Sequence, residues 1–205
     1  MFYFIGPGIG DYPSKIMLIA GINIILAVSL TVVNGFTGQF SMGHAGFMAV
    51  GGYVAATITY YGSMKLFGSA DPAGGVLSFT GGEDKPTAIA RWGDLLFFGS
   101  CLMGGVGAAI AGYIVGLPSL RLRGDYLAIV TLGFGEIVRV LLQGTHEQIQ
   151  PWRVEEALSK PMYELAVSLG GPKGFQLLPT YTTLFWVYLF VIVTLIICYR
   201  VKNSS

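Results

Sequence analysis

Long apolar runs alternate with shorter polar stretches along the chain. A helix needs about 20 mostly apolar residues to cross the hydrocarbon core of a bilayer. Four runs have this length, Ile16–Asn34, Ser41–Gly62, Leu95–Gly116 and Tyr181–Tyr199, and a fifth, Tyr126–Leu142, is shorter and interrupted by polar residues. The runs are continuous rather than alternating, which disfavours a β-barrel. The pattern predicts an all-α integral membrane protein with about five transmembrane helices.

The segments between the runs differ in charge. The short stretch Leu117–Gly124 carries Arg121 and Arg123, and basic residues also follow the last run. Two longer stretches, about residues 63–94 and 143–180, mix basic with acidic side chains. Cytoplasmic loops carry an excess of Lys and Arg. We therefore expect the arginine loop and the C-terminal end to be cytoplasmic, and the two long loops to lie outside.

The composition agrees with a membrane location. Of the 205 residues, 53% are hydrophobic and only 11% are charged, whereas soluble domains carry about 25% charged residues. The net charge of +1 argues against a nucleic-acid partner. The only two cysteines, Cys101 and Cys198, lie inside apolar runs, which disfavours both a disulfide framework and metal ligation by thiols.

Several short motifs of enzymes are missing from the sequence. It contains no G-x-x-x-x-G-K-[ST] phosphate loop, no G-x-S-x-G, no H-E-x-x-H and no C-x-x-C. We therefore predict that this chain has no catalytic residue, no metal site and no cofactor of its own, and that it is not an enzyme.

The stretch GFTGQFSMGHAGF, residues 35–47, concentrates glycines and neutral hydrogen-bonding groups between two apolar runs. Non-helical backbone survives at membrane depth only where protein or water satisfies its amides, and transporters use such breaks to contact their substrates. The stretch is either a tight cytoplasmic turn or a broken or re-entrant helix. The candidate translocation-pathway residues are Thr37, Gly38, Gln39, Ser41, Gly43 and His44.

A helical wheel divides the run that begins at Ser41 into two sides, at about 100° per residue. Small and polar residues share one side with Met48: Ser41, His44, Ala45, Met48, Gly52, Ala55 and Thr59. Bulkier residues share the other side: Phe47, Val50, Val54, Ile58 and Tyr61. We expect the bulky side to face lipid, and the small, polar side to face protein or a cavity.

Small residues also recur every four positions in the third run, at Gly104, Ala108, Gly112 and Gly116. A stripe of this kind lets another helix backbone approach closely, and such stripes are common in membrane bundles. We interpret it as a helix-packing surface.

The run Tyr126–Leu142 carries charges at membrane depth. If it is helical from Asp125, then Asp125, Glu136, Arg139 and Gln143 lie on one side, and the three-residue spacing lets Glu136 and Arg139 pair. Charges inside a membrane normally face a bundle interior or water. Alternatively, Arg139 extends to the outer interface while Glu136 neutralises it. The sequence leaves both interpretations open.

Three stretches together resemble one transporter family. They are NGFTGQFSMGHAGFMAVGGYVAA (34–56), LPSLRLRGDYLAIVTLGFGEIVRVLL (117–142) and LGGPKGF (169–175). In this order they are similar to the permease subunits of branched-chain amino-acid ABC importers. The family's signature positions correspond to Arg121, Arg123, Gly124, Asp125, Glu136 and Arg139, and its outer glycine loop to Gly170, Gly171, Pro172 and Gly174.

The resemblance implies a multi-subunit importer in the bacterial plasma (inner) membrane. Two related multi-pass permeases would form the membrane pathway, and two cytoplasmic ATPase subunits would use ATP to power it. A periplasmic binding protein would deliver leucine, isoleucine or valine. Individual substrate contacts do not follow from the resemblance.

The resemblance also implies a longer chain, because the family continues into a cytoplasmic coupling helix and further spans. We therefore expect residues 1–205 to be a single transmembrane domain, the N-terminal portion of a longer permease. Two alternatives remain. One is the permease of a urea or short-chain amide importer. The other is a stand-alone secondary carrier or solute channel, in which Glu136 and His44 would be candidates for proton coupling.

Overall fold

The computed structural model describes residues 11–36, 38, 43–67, 87–119, 125–176, 178, 182 and 184–203. The chain forms two compact units, one made of residues 1–41 and 182–205 and the other of residues 42–181. In the first unit, helix α1 (Asp11–Thr31) continues into a short π-helical segment (Val32–Phe36), and the last helix is α7 (Leu184–Asn203). Gly21 of α1 lies against Val187 and Val191 of α7.

The described residues of the second unit form three long helices and a folded segment that follows them. The long helices are α2 (His44–Phe67), α3 (Thr87–Ser119) and α4 (Asp125–Gln143). Two short helices follow, α5 (Val154–Ser159) and α6 (Met162–Leu165), and then a 3-10 turn (Gly171–Lys173). The regular structure of the described residues is therefore helical with five long helices, and the predicted all-α fold is confirmed there.

Among the described residues, four helical segments are long and apolar enough to cross a membrane: Tyr12–Gly35, Leu95–Leu117, Tyr126–Gln143 and Leu184–Asn203. Helix α2 has 24 residues, a length of about 36 Å at 1.5 Å per residue, so it is also long enough to span. It is less apolar because glycine, threonine and tyrosine occupy many of its positions. Its residues from Thr59 to Met64 are buried, which suits a helix surrounded by protein.

Helix occupies both ends of the segment 63–94 that the sequence predicts as a loop. Helix α2 runs on to Phe67, and α3 begins at Thr87. The extra turn of α2 is stabilised by burial, because Tyr60, Tyr61 and Met64 are fully covered by residues that follow α4. The apolar run therefore underestimates the length of the helix that contains it.

Residues 144–176 fold onto the end of α2, and we name them the outer cap after the outer loop that the sequence predicts there. Ile149, Ala157 and Leu165 of the cap pack against Tyr60, Tyr61 and Met64 in one buried cluster. The Tyr60 hydroxyl donates to the Ile149 carbonyl oxygen at 2.7 Å, and Lys65 Nζ donates to the Lys160 carbonyl oxygen at 2.7 Å. The second predicted outer loop is thus an ordered layer that is anchored to α2.

Helix α3 packs along α2 through small residues. A Cβ added to Gly104 would lie 2.6 Å from the Gly51 carbonyl oxygen, and one added to Gly51 would lie 3.3 Å from Ala108 Cβ. Gly112 lies at the margin of the contact, and a Cβ added to Gly116 would meet open space. The first half of the small-residue stripe therefore lies at the helix contact, and its second half does not.

The two sides of α2 are not divided as the helical wheel predicts. Tyr61 is fully buried, whereas Met48, expected to face protein, is 51% exposed. The Phe47 ring packs on that of Phe134 in α4, with centroids 4.9 Å apart. Assigning the bulky side to lipid is wrong for Phe47 and Tyr61, because α4 and the outer cap cover that side of α2.

Candidate functional site

The start of α2 crosses α4 at very short range. A Cβ added to Gly43 would lie 2.5 Å from the Thr131 carbonyl oxygen, and one added to Gly46 would lie 2.9 Å from the Cα of Gly135. Gly43 and Gly46 are both buried. Two glycines of the stretch 35–47 therefore have a packing function, because only residues without side chains let two helix backbones approach so closely.

An open cavity of about 520 Å³ lies beside this crossing. Its α2 wall is formed by Ala45, Gly46, Ala49 and Tyr53, and its α4 wall by Leu132, Gly135, Glu136, Arg139, Leu142 and Gln143. Residues 171–174 of the outer cap form the third wall. The cavity thus joins three stretches that lie far apart in the sequence: the start of α2, the charged pair on α4 and the outer glycine loop.

Glu136 and Arg139 form a bidentate ion pair on the α4 wall. Arg139 Nε donates to both carboxylate oxygens of Glu136 at 3.0 Å, and Nη2 donates to Oε1 at 2.5 Å. The Arg139 and Glu136 side chains are 60% and 58% exposed, although they lie within an apolar segment long enough to span a membrane. Such charges are costly in contact with lipid. The cavity lets the pair face water or protein, and Arg139 also lies about one turn from the end of α4, so both interpretations stay open.

The outer glycine loop forms a tight turn at one end of the cavity. The Gly170 amide donates to the His146 carbonyl oxygen at 3.0 Å, and the Gly174 amide donates to the Gly171 carbonyl oxygen at 3.1 Å. Gly170 has φ +95°, and a Cβ added there would collide with the Gly174 carbonyl oxygen. The turn requires glycine at this position because L side chains rarely adopt such a φ. Gly171, Pro172, Lys173 and Gly174 line the cavity, whereas Gly170 is buried and does not line it.

The other predicted site residues are placed less completely. Thr37, Gln39, Ser41, Arg121, Arg123 and Gly124 lie outside the described residues. Gly38 has φ +63° and has open space on its Cβ side. His44 is the first residue of α2 and is half-buried, and Asp125 is the first residue of α4. The translocation-pathway assignment of Thr37, Gly38, Gln39, Ser41 and His44 stays a prediction. The same holds for the assignment of Arg121, Arg123, Gly124 and Asp125 to the family signature.

Several cavity residues are missing from the sequence-based site candidates, among them Ala49, Tyr53 and Lys173. Ala45, Ala49 and Tyr53 are spaced four residues apart, so a four-residue search along the second run would have placed them on one face. Lys173 lies inside the outer glycine loop, but its position at the cavity depends on the folding of the outer cap. Among the described residues, no group of three His, Cys, Asp or Glu side chains could hold a metal ion.

A second, charged depression of about 710 Å³ lies on the outer cap. Lys160 Nζ donates to Glu156 Oε1 at 2.9 Å, and Arg153 Nη2 lies 2.6 Å from Glu156 Oε2. The hydrogen bond from Lys160 and the neighbouring Arg153 charge hold the pKa of Glu156 below its usual range. Arg153 and Glu156 have the same three-residue spacing as Glu136 and Arg139, but they lie outside the cavity between α2 and α4.

The hydroxyl of Tyr61 ties the outer cap to α2. It donates to the Ser168 carbonyl oxygen at 2.7 Å and accepts from the Ile149 amide at 3.4 Å. We expect Tyr61→Phe to destabilise the protein by about 1–3 kcal/mol, because it removes a buried hydrogen-bond partner. The melting temperature of the purified protein measures the effect. Tyr163→Phe is the matched control, because Tyr163 is 72% exposed. Equal melting temperatures for the two variants would show that the hydroxyl does not anchor the cap.

Comparison with known families connects this geometry to a transport system. A family model described as "Branched-chain amino acid transport system / permease component" matches residues 12–205. The chain belongs to this family. The membership confirms the resemblance seen in the sequence, and together with the apolar helices it makes the chain a membrane-embedded transport component.

Two curated relatives of this family member are permease proteins named LivM, of high-affinity branched-chain amino acid transport systems. That of Escherichia coli (strain K12) is 41% identical over 127 residues, and that of Salmonella typhimurium is 40% identical over 127 residues. The aligned region is 62% of this chain and 22% of each relative, so the chain matches about a fifth of the relatives' length. No solved structure gives a significant match.

Proposed function

We propose that the chain forms part of the membrane pathway of an ATP-driven importer for leucine, isoleucine and valine. The observation that carries the proposal is the open cavity between α2 and α4, lined by the exposed Glu136–Arg139 pair in an apolar helix. An exposed ion pair in a helix that can span a membrane requires water or a protein partner. A translocation pathway would supply water. Membership of the permease family supports the interpretation that the cavity belongs to such a pathway.

The other components follow from the same proposal. A second homologous permease would complete the pathway, and two cytoplasmic ATPase subunits would supply the energy from ATP. A periplasmic binding protein would deliver the substrate to the outer side, and the assembly would be multi-pass in the bacterial inner membrane. The chain itself would bind no cofactor and catalyse no reaction. Its matched relatives carry names that refer to branched-chain amino acid transport, which supports the substrate class.

Uptake into proteoliposomes tests the proposal. The full-length permease is reconstituted with its partner subunits and supplied with the binding protein, and radiolabelled leucine uptake is measured with ATP on the side of the ATPase subunits. We expect uptake that needs ATP and does not need a proton gradient. Uptake driven by a proton gradient without ATP would indicate a secondary carrier. Uptake of urea or acetamide in place of leucine would indicate an amide importer.

A further inference from the structure

The lining of the cavity between α2 and α4 has a charged part and an apolar part. Glu136, Arg139 and Gln143 follow one another along α4 at three- and four-residue spacing and form a charged, hydrogen-bonding strip. Opposite them, α2 presents the short side chains of Ala45 and Ala49. A ligand that fills such a cavity has a charged end and an apolar end.

The ion pair retains hydrogen-bonding capacity for a ligand. The bonds within the pair use Nε and Nη2 of Arg139, so none of them uses the two N–H groups of Nη1. A carboxylate has about four lone-pair positions, and Arg139 takes only part of those on Glu136. A second carboxylate can therefore bind Arg139 while an ammonium group binds Glu136. One molecule that carries both groups close together can bind the pair without separating it.

The small residues of α2 set the space for the other end of the ligand. Ala49 lies one turn from Ala45 and one turn from Tyr53, and all three line the cavity. Leu132 and Leu142 of α4 add further apolar lining. A branched aliphatic side chain of three or four carbons would contact this wall, and a larger residue in place of Ala49 would occupy the same space.

We infer that this cavity binds a free α-amino acid in a defined orientation. Its carboxylate binds Arg139, its ammonium binds Glu136, and its aliphatic side chain lies against Ala45 and Ala49, with Ala49 as the residue that limits side-chain size. The inference rests on the proposed transport of branched-chain amino acids and adds the subsite and its selectivity. A neutral amide such as urea carries no charge, so its binding would need neither Glu136 nor Arg139 as a charged partner.

Direct binding to the permease tests the orientation without interference from the binding protein. The full-length permease and its partner subunits are purified in nanodiscs, and radiolabelled leucine is displaced by analogues that lack one charge. We expect 3-methylbutylamine, which lacks the carboxylate, and 4-methylpentanoate, which lacks the ammonium, each to compete at least about tenfold more weakly than leucine. Either analogue competing as well as leucine would overturn recognition of both charges.

Ala49→Leu tests the size limit in the same assay. We expect the ratio of leucine affinity to alanine affinity to fall about tenfold or more, because even one methylene group in a pocket of fixed size discriminates by about that factor. Ala109→Leu, at an exposed position of α3 that does not line the cavity, should leave the ratio unchanged. Equal ratios in both variants would overturn the assignment of Ala49.

The outcomes separate this inference from the proposed function. If the assembled importer takes up leucine but the permease in nanodiscs binds none, the subsite is wrong and the transport function stands. If the assembled importer takes up no branched-chain amino acid, the proposed function itself is wrong.

Discussion

Replacement of Arg139 by glutamine should reduce leucine uptake by the assembled importer about tenfold or more. The change removes the cation that pairs with Glu136 and leaves Glu136 as an unpaired negative charge on the α4 wall of the cavity. A carboxylate-bearing substrate then meets repulsion where it would have met a charge-assisted hydrogen bond, and such bonds are about twice as strong as neutral ones. Initial uptake rates at limiting leucine, normalised to permease content in the membrane, measure the effect.

Arg153→Gln is a closely matched control. Arg153 pairs with Glu156 at the same three-residue spacing, and its side chain is 61% exposed against 60% for Arg139. It lies on the outer cap and does not line the cavity between α2 and α4. We expect this variant to retain most of its uptake. Equal losses in the two variants would mean that the loss at Arg139 reflects a general effect of removing an exposed ion pair.

Gly46→Leu should destabilise the protein by forcing α2 and α4 apart. A Cβ at this position would lie 2.9 Å from the Cα of Gly135 and 3.3 Å from ring carbons of Phe134. The backbone of α4 cannot rotate away as a side chain could, so the helices must separate. Overpacking typically costs about 1–3 kcal/mol. At the upper end this lowers the melting temperature by about 6–12 °C.

Gly52→Leu on the same helix separates packing from helix propensity. A Cβ at Gly52 meets no atom within 4 Å, and both substitutions replace a glycine with the same good helix former. We expect the Gly52 variant to melt at or above the wild-type temperature, while the Gly46 variant melts lower and also loses uptake, because the crossing borders the cavity. A Gly46 variant as stable as the Gly52 variant would contradict the close crossing of α2 and α4.

The sequence predicts the existence of the long helices well, because hydrophobic length is set mainly by the local composition of each run. It also predicts the Glu136–Arg139 pair, because a three-residue spacing on one helix is a local relation. Boundaries are less predictable. Helix α2 extends to Phe67 because the outer cap covers Tyr60 and Tyr61, and that cover comes from residues far along the chain.

The cavity could not be predicted from any one stretch. The outer glycine loop reaches the cavity because the cap folds back on itself. The Gln148 side-chain amide donates to the Gln176 carbonyl oxygen and accepts from the Gln176 backbone amide, and the Gly170 amide donates to the His146 carbonyl oxygen. These contacts are non-local, so motif spacing does not reveal them. The helical wheel of α2 was wrong at Phe47 and Tyr61 for the same reason, since a wheel assumes one protein-facing side and α2 has more than one.

Thiol accessibility at Ala49 tests most directly the central claim that the cavity between α2 and α4 lies on the translocation pathway. Ala49→Cys and Ala109→Cys are introduced separately into a full-length permease in which Cys101 and Cys198 are replaced by alanine. Each variant is treated with a membrane-impermeant maleimide in the assembled importer. We predict that the Ala49 variant is labelled and that labelling stops leucine uptake. Excess leucine should slow the labelling reaction. The Ala109 variant should keep its uptake after the same treatment. A labelled Ala49 variant that still takes up leucine at its original rate, or an Ala49 variant that the reagent does not reach, would contradict the claim.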